Sequence, residues 1–235
     1  MPAGRVVSVN VGLPRTARWN GRDVTTGIFK EPVTSPVRLR RLNFDGDRQA
    51  DLTVHGGPAK AVYAYPLEHY PFWRDELGED LPFGAFGENL TIEGLSLEDE
   101  VAVGDRLRVG SAELVVTQPR LPCHKLGLRF GREGMVRRFL TTCRTGYYLA
   151  VVAEGDVGPG DRVETVARHP DGIPVGEITR VYVRDRDDYA TIERLVALDA
   201  LPHDWRTHFE QALARNGNPR PPSARIPLHA RQPPR

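Results

Sequence analysis

Val103-Gly104-Asp105-Arg106-Leu107 returns later in the chain as Pro159-Gly160-Asp161-Arg162-Val163. Each is a Gly-Asp turn opening into residues that alternate apolar and polar, the pattern of a half-buried strand. Repeated tight turns that send the chain back across a sheet imply a closed or strongly curved β-domain. Asp105 and Asp161 are read as structural, because an aspartate side chain readily bonds the backbone of such turns. The echo is too short to establish a duplication.

Between the two turns, the alternating run Ala112 to Val116 leads into Gln118-Pro119-Arg120-Leu121-Pro122-Cys123-His124-Lys125-Leu126. This stretch sets one thiol beside a histidine and between two fixed cations. Pro119 and Pro122 stiffen the backbone around Arg120, and a reactive group needs such a frame. Positive neighbours also favour negative charge on sulfur. Against that stands the ordinary fate of a free cysteine, burial as a small inert hydrophobe. After Cys123 a helical turn is expected over Lys125–Arg129 and a short basic amphipathic helix over Met135–Thr142, then an apolar strand over Tyr147–Val152. Cys143 has no proline frame and is read as structural, and two thiols this far apart are not a CxxC redox pair.

Upstream, strands are expected over Arg5–Val9, Val24–Phe29 and Val37–Arg40, with a polar stretch from the Gly12-Leu13-Pro14 turn to Asp23. Polar groups then crowd a short span, Asp45-Gly46-Asp47-Arg48-Gln49-Ala50-Asp51 followed by His55-Gly56-Gly57-Pro58-Ala59-Lys60. Gly56 and Gly57 can present backbone N–H groups to an anion, with Arg48 and Lys60 as charged partners; a plain Gly-Gly-Pro turn is the alternative. The span is not a nucleotide-binding loop, since it lacks the Gly-Lys-Ser/Thr ending, and no dinucleotide fingerprint occurs elsewhere. Ala61–Tyr65 reads as a strand, and Pro71 starts a short helix to Leu77. Trp73 and Leu77, four apart, mark its core face. Gly84-Ala85-Phe86-Gly87-Glu88-Asn89-Leu90 is a tight connection in which Glu88 and Asn89 either brace the loop or face a ligand.

Beyond Val166 the segment His169 to Pro174 is a boundary, and helical periodicity takes over at Val175–Val183, Tyr189–Leu198 and His203–Leu213. Three short helices cannot make a large core of their own, so a small lid or buttress packed on the β-domain is expected. The organisation is therefore a β-domain over 1–168, a small helical domain over 169–215 and a disordered Pro/Arg-rich tail over 216–235. That tail holds four Arg, six Pro and no acid, which leaves the body slightly acidic although the whole chain has a formal net charge of +1. A bulk-charge nucleic-acid binder gains no support from this balance. With two cysteines in 235 residues and no apolar leader run, neither a disulfide scaffold nor export nor a membrane span is indicated, and a reducing cytoplasm is expected.

Taken in succession, Asp45–Asp51, His55-Gly56-Gly57, Lys60-Ala61-Val62, Gly84–Leu90 and Gln118–Leu126 resemble the motifs of the MOSC-domain family, related to the C-terminal region of molybdenum-cofactor sulfurases, and more closely its stand-alone YiiM-like branch. The likeness covers residues 1–168, and the following helices resemble that branch's three-helix domain. It implies a mainly β, barrel-like MOSC fold with short helices and a bound pyranopterin molybdenum cofactor, with Cys123 at the family's metal or persulfide cysteine. Pyridoxal phosphate binding is a looser superfamily association. The branch is associated with reduction of N-hydroxylated compounds, including hydroxylamino-purines, and so with detoxification.

On that resemblance, Cys123 is the metal ligand and catalytic centre, and His124 a proton shuttle or an outward-facing structural histidine. Arg48, His55, Gly56, Gly57, Lys60, Asn89, Arg120 and Lys125 are candidate cofactor contacts, with Arg48, Arg120 and Lys125 near the mouth. A separate electron-donating reductase is implied, since no flavin or nicotinamide motif is visible. A persulfide or cofactor carrier without turnover is the competing reading. A nucleic-acid interaction domain ranks lower, because no aromatic-basic stacking motif accompanies the cations.

Overall fold

The structure, a computed structural model, describes residues 4–50, 56–94 and 98–216. His55, Asp51 and the tail beyond Asn216 lie outside the described residues. The strands, in chain order, are β1 (Gly4–Val11), β2 (Arg15–Trp19), β3 (Arg22–Thr26), β4 (Glu31–Val33), β5 (Val37–Leu39), β6 (Val62–Pro66), β7 (Leu90–Glu93), β8 (Arg106–Val109), β9 (Ala112–Pro119), β10 (Tyr147–Ala153), β11 (Gly155–Val157) and β12 (Arg162–Ala167). The α-helices are α1 (Tyr70–Leu77), α2 (His124–Phe130), α3 (Met135–Thr142), α4 (Val175–Val183), α5 (Tyr189–Ala197) and α6 (His203–Asn216).

The main sheet runs β12-β8-β9-β10-β6-β7-β1, and a further β12–β1 pairing closes these seven strands into a barrel, with β4 added outside on β1. The β6–β7 pair is parallel and the others are antiparallel. Closure at Gly4↔Val163 leaves no free edge between first and last barrel strands. Both Gly-Asp turns act as expected. Asp105 is fully buried and accepts from the backbone N–H of Ala102 and His169 at 3.1 and 2.9 Å, and Asp161 accepts from Gly158 N–H at 2.8 Å.

Every residue of β6 is buried because the strand is covered on both faces. Side chains alternate across a strand, so Val62 and Ala64 join the barrel interior while Tyr63 and Tyr65 enter a second, aromatic layer. That layer contains Tyr70, Trp73, Phe86 and Phe139, and Trp73 lies at its centre, its indole N–H donating to Tyr65 Oη at 2.6 Å. The helices α4 to α6 follow the barrel, and their apolar residues, among them Val175, Ile178, Leu195, Trp205 and Phe209, belong to the same buried cluster as the barrel interior. No helix among the described residues is long and apolar enough to cross a membrane.

The sequence reading placed most elements within a residue or two, with two kinds of difference. The polar stretch to Asp23 received no element in the sequence, yet β2 and β3 form a two-stranded hairpin there, paired from Arg15↔Thr26 to Trp19↔Arg22, and the strand expected over Val24–Phe29 begins at Arg22 and ends at Thr26. The hairpin's residues are mostly exposed, so no apolar alternation marked it. The short β4 and β11 were unmarked because three residues are too few to show an alternation.

Candidate functional site

The end of β9 and the start of α2 carry the proline-framed stretch to one wall of a cavity. Cys123, half-buried and extended at φ −118° and ψ 178°, is the last residue before α2. Arg48, Lys60, Asn89, Arg120, Cys123 and Lys125 all line this cavity, together with Thr26, Gly27, Ile28, Lys30, Tyr63 and Tyr148 among others. Segments far apart in the chain, from Thr26 to Tyr148, thus converge around one sulfur.

Arg120 differs from the expectation of a residue at the mouth: it is buried, 6% exposed. Its guanidinium sits 5.1 Å from the ring centroids of both Tyr63 and Phe139, and Nη2 donates to Phe86 O at 3.3 Å. Nη1 is buried with no hydrogen-bond partner. A buried unmatched guanidinium donor carries a desolvation penalty, which an anion in the cavity would relieve. Lys60 ends a single 3₁₀ turn, Pro58–Lys60, whose preceding Gly57 has φ 98°, a value open to glycine and strained for other residues. The Thr117 hydroxyl donates to Ala59 O at 2.6 Å, tying that turn to β9.

Asn89 has no polar atom left over. Its side-chain oxygen accepts from Tyr63 N–H at 3.1 Å, and its amide nitrogen donates to Asn10 O at 3.3 Å and Asp47 Oδ2 at 2.9 Å. It therefore borders the cavity as a brace between β1 and β6. Glu88 braces the adjacent loop: fully buried, it accepts from Gly84 and Phe86 N–H at 2.9 and 3.0 Å, from Thr91 Oγ1 at 3.1 Å and from the Tyr70 hydroxyl. His124 is exposed and is not among the cavity residues, which leaves it on the outward-facing side of its two readings. Burial, then Lys125, lowers its pKa below the ordinary histidine value. Gly57 lines a neighbouring depression that shares Arg48 and Gln49 with the cavity, and Gly56 lines neither.

Family models match this chain over residues 51–164, as a MOSC domain, and over 173–216, as the YiiM-like 3-alpha helix domain. The protein YflK of Bacillus subtilis (strain 168) is 46% identical over 204 residues, 87% of this chain and 92% of that protein. The chain belongs to the MOSC-domain family, in its YiiM-like branch. The crystal structure of YiiM from Geobacillus stearothermophilus superposes on this MOSC protein with a TM-score of 0.75 at 33% identity, covering 89% of this chain and 99% of that one. A Gibberella moniliformis protein named a reductase is 34% identical over 169 residues, which make up 70% of this chain but 30% of that protein.

Sequence reasoning missed Lys30, Tyr63 and Tyr148 in the MOSC cavity. Lys30 is 9% exposed and bonds Asp47 Oδ1, which also accepts from Gly12 N–H at 3.0 Å. Burial pushes its ammonium below the usual lysine range, with Asp47 opposing the shift. A lysine two residues before a proline reads as surface, so no local signal could have found it. The tyrosines were legible only as strand residues, since period-2 alternation does not say what covers the outer face.

Among the described residues no group of three or more His, Cys, Asp or Glu is placed to hold a metal ion. The cavity offers one thiol and several cations instead. That donor set fits an anionic cofactor that brings its own metal ligands and takes a single soft sulfur from the protein.

Proposed function

We propose that the chain binds a pyranopterin molybdenum cofactor in the Cys123 cavity and serves as a reductase of N-hydroxylated compounds, hydroxylamino-purines among them. The observation that carries this reading is one half-buried thiol sharing a cavity with Arg48, Lys60, Lys125 and the buried guanidinium of Arg120, whose Nη1 has no hydrogen-bond partner. Cys123 would supply the protein's sulfur ligand. Arg120 and the lysines would hold the cofactor's phosphate, as fixed charge in a partly dry site holds an oxyanion more strongly than in water. The bound group supplies the two-electron redox chemistry, and the protein orients it.

Reduction of an N–OH group to N–H releases water and requires two protons. Lys30 lines the cavity and its ammonium, bonded to Asp47, is destabilised by burial, so it is assigned here as the proton source. Electrons must come from outside the chain. A match filling only 30% of a larger protein called a reductase supports a domain that works with electron-delivering partners.

Protein produced in a cofactor-competent host is expected to contain molybdenum and pterin, and to reduce an N-hydroxylated purine when given electrons. Cys123→Ala should fold, lose molybdenum and lose turnover, whereas Cys143→Ala should keep both. Wild-type metal content and turnover in Cys123→Ala would sink the assignment. The lone cavity thiol also suits a persulfide carrier. Stoichiometric sulfur transfer without reduction would establish that role instead.

A further inference from the structure

Outside the cavity lining, two arginines share one aromatic ring. The central carbon of the Arg15 guanidinium lies 3.8 Å from the Phe29 ring centroid, and that of Arg129 lies 5.5 Å from the same centroid. Among the described residues neither makes an ion pair with a carboxylate, and Nε of Arg129 is buried without a hydrogen-bond partner. Burial, and after it the opposing pulls of Glu88 and Arg15, leaves the Arg129 guanidinium below its ordinary pKa, so its positive charge is held at a cost.

The fold imposes this pairing. Arg15 opens β2, and the β2–β3 hairpin is fixed on α2: Trp19 packs against Gly127, and Asn20 Nδ2 donates to Glu133 Oε1 at 2.9 Å. Arg129 follows Lys125 by four residues on α2, so both occupy one helix face, and Lys125 lines the Cys123 cavity. Phe29 sits between Ile28 and Lys30, which are cavity walls too. The Phe130 ring lies 5.4 Å from that of Phe86, a further wall residue. The arginine pair therefore flanks the cavity on the hairpin side.

From this juxtaposition we infer that Arg15 and Arg129 form a second anion subsite beside the Cys123 cavity, taking a phosphate group of the ligand that fills it. Two guanidinium groups present several donors in planar forks, which match a tetrahedral phosphate oxyanion. An anion bound by both would offset the repulsion by which Arg15 lowers the Arg129 pKa. Phe29 holds the pair in place rather than stacking a base, because Arg15 already covers it. The identity of the ligand rests on the function proposed above: since Arg120 and the lysines hold the cofactor's phosphate there, the phosphate at this subsite is that of an N-hydroxylated nucleotide substrate.

Inorganic phosphate titrated calorimetrically into the purified full chain at low ionic strength is expected to fill two sites. Arg15→Gln/Arg129→Gln should weaken one of them by about tenfold or more, about 1.4 kcal/mol, and leave the other, which Arg120→Gln should weaken in turn. Arg15→Gln alone changes an exposed residue and reports on the same site if the double variant does not fold. A double-variant or Arg15→Gln isotherm superimposable on the wild type overturns the inference. Adenosine 5′-monophosphate and adenosine then test the source. A nucleotide advantage lost in the double variant assigns the phosphate to the substrate, and equal binding of the two to the wild type overturns that assignment. Phosphate binding needs neither molybdenum nor turnover, so the subsite and the reductase reading fail separately.

Discussion

Lys30 and Asp47 leave water together, and each is useful to the site only while the other is present. Asp47 accepts from Gly12 N–H, from Asn89 and from Lys30, so one carboxylate ties the loop after β1, the residue before β7 and the buried ammonium into a single network. Removing one member of a buried pair strands the other charge, at about 3–5 kcal/mol. Lys30→Met is expected to lower stability by about that much in urea denaturation, and Lys30→Met/Asp47→Asn to lose less than the sum of the single changes, with a coupling above about 1 kcal/mol. Additive losses would show that the network carries no shared energy. At this scale the sequence was legible where chemistry is local, as at Cys123 between Arg120 and Lys125. It was silent on Lys30, because its neighbours Gly12, Gly84 and Asp47 are all distant in sequence.

The Gly84–Leu90 connection shows how an element fixes a site without touching a ligand through its own charge. Burial raises the Glu88 carboxyl above the usual glutamate range, while hydrogen bonds from Tyr70, Gly84 and Thr91 pull it back. The folded state then holds this proton more tightly than the unfolded chain. The stability that Glu88 contributes is thus fully present below the ordinary value of 4.5 and declines as pH rises through the folded value. Glu88→Gln turns acceptors into donors facing donors and should cost about 1–3 kcal/mol. Its deficit relative to wild type, followed by urea midpoints across pH, should be largest at acid pH and shrink as pH rises. A pH-independent deficit would mean that the carboxyl does not titrate in this way. Gly87 has φ +81°, and a Cβ there would come within 2.8 Å of Ile28 Cγ1, a cavity wall. Gly87→Ala should therefore cost about 1–2 kcal/mol in backbone strain and displace Ile28, weakening phosphate binding more than Ala substitutions at surface glycines such as Gly131. The motif was readable in the sequence. The sequence left Glu88 and Asn89 open between brace and ligand contact; the structure shows the hydrogen bonds by which each braces its surroundings, and Asn89 also lines the cavity.

Across the whole molecule, seven strands close on themselves and the helices α4 to α6 extend the same buried cluster rather than forming a core of their own. A shared core predicts shared unfolding. Trp205→Ala, at a residue 5% exposed, should destabilise by about 3–5 kcal/mol, and helical and tryptophan signals should still melt together; separate transitions would mean that the helices fold independently. Local patterning in the sequence determined the barrel's turns, most of its strands, all six α-helices and the stretch that delivers Cys123, because hydrophobic period, Gly-Asp turns and proline frames act over a few residues. Tertiary structure alone decided the exposed β2–β3 hairpin, the second buried face of β6, the burial of Arg120 and Lys30, and the meeting of Arg15 with Arg129 on Phe29. Those features depend on which distant segment covers a side chain, and desolvation by such a neighbour leaves no mark in the local sequence.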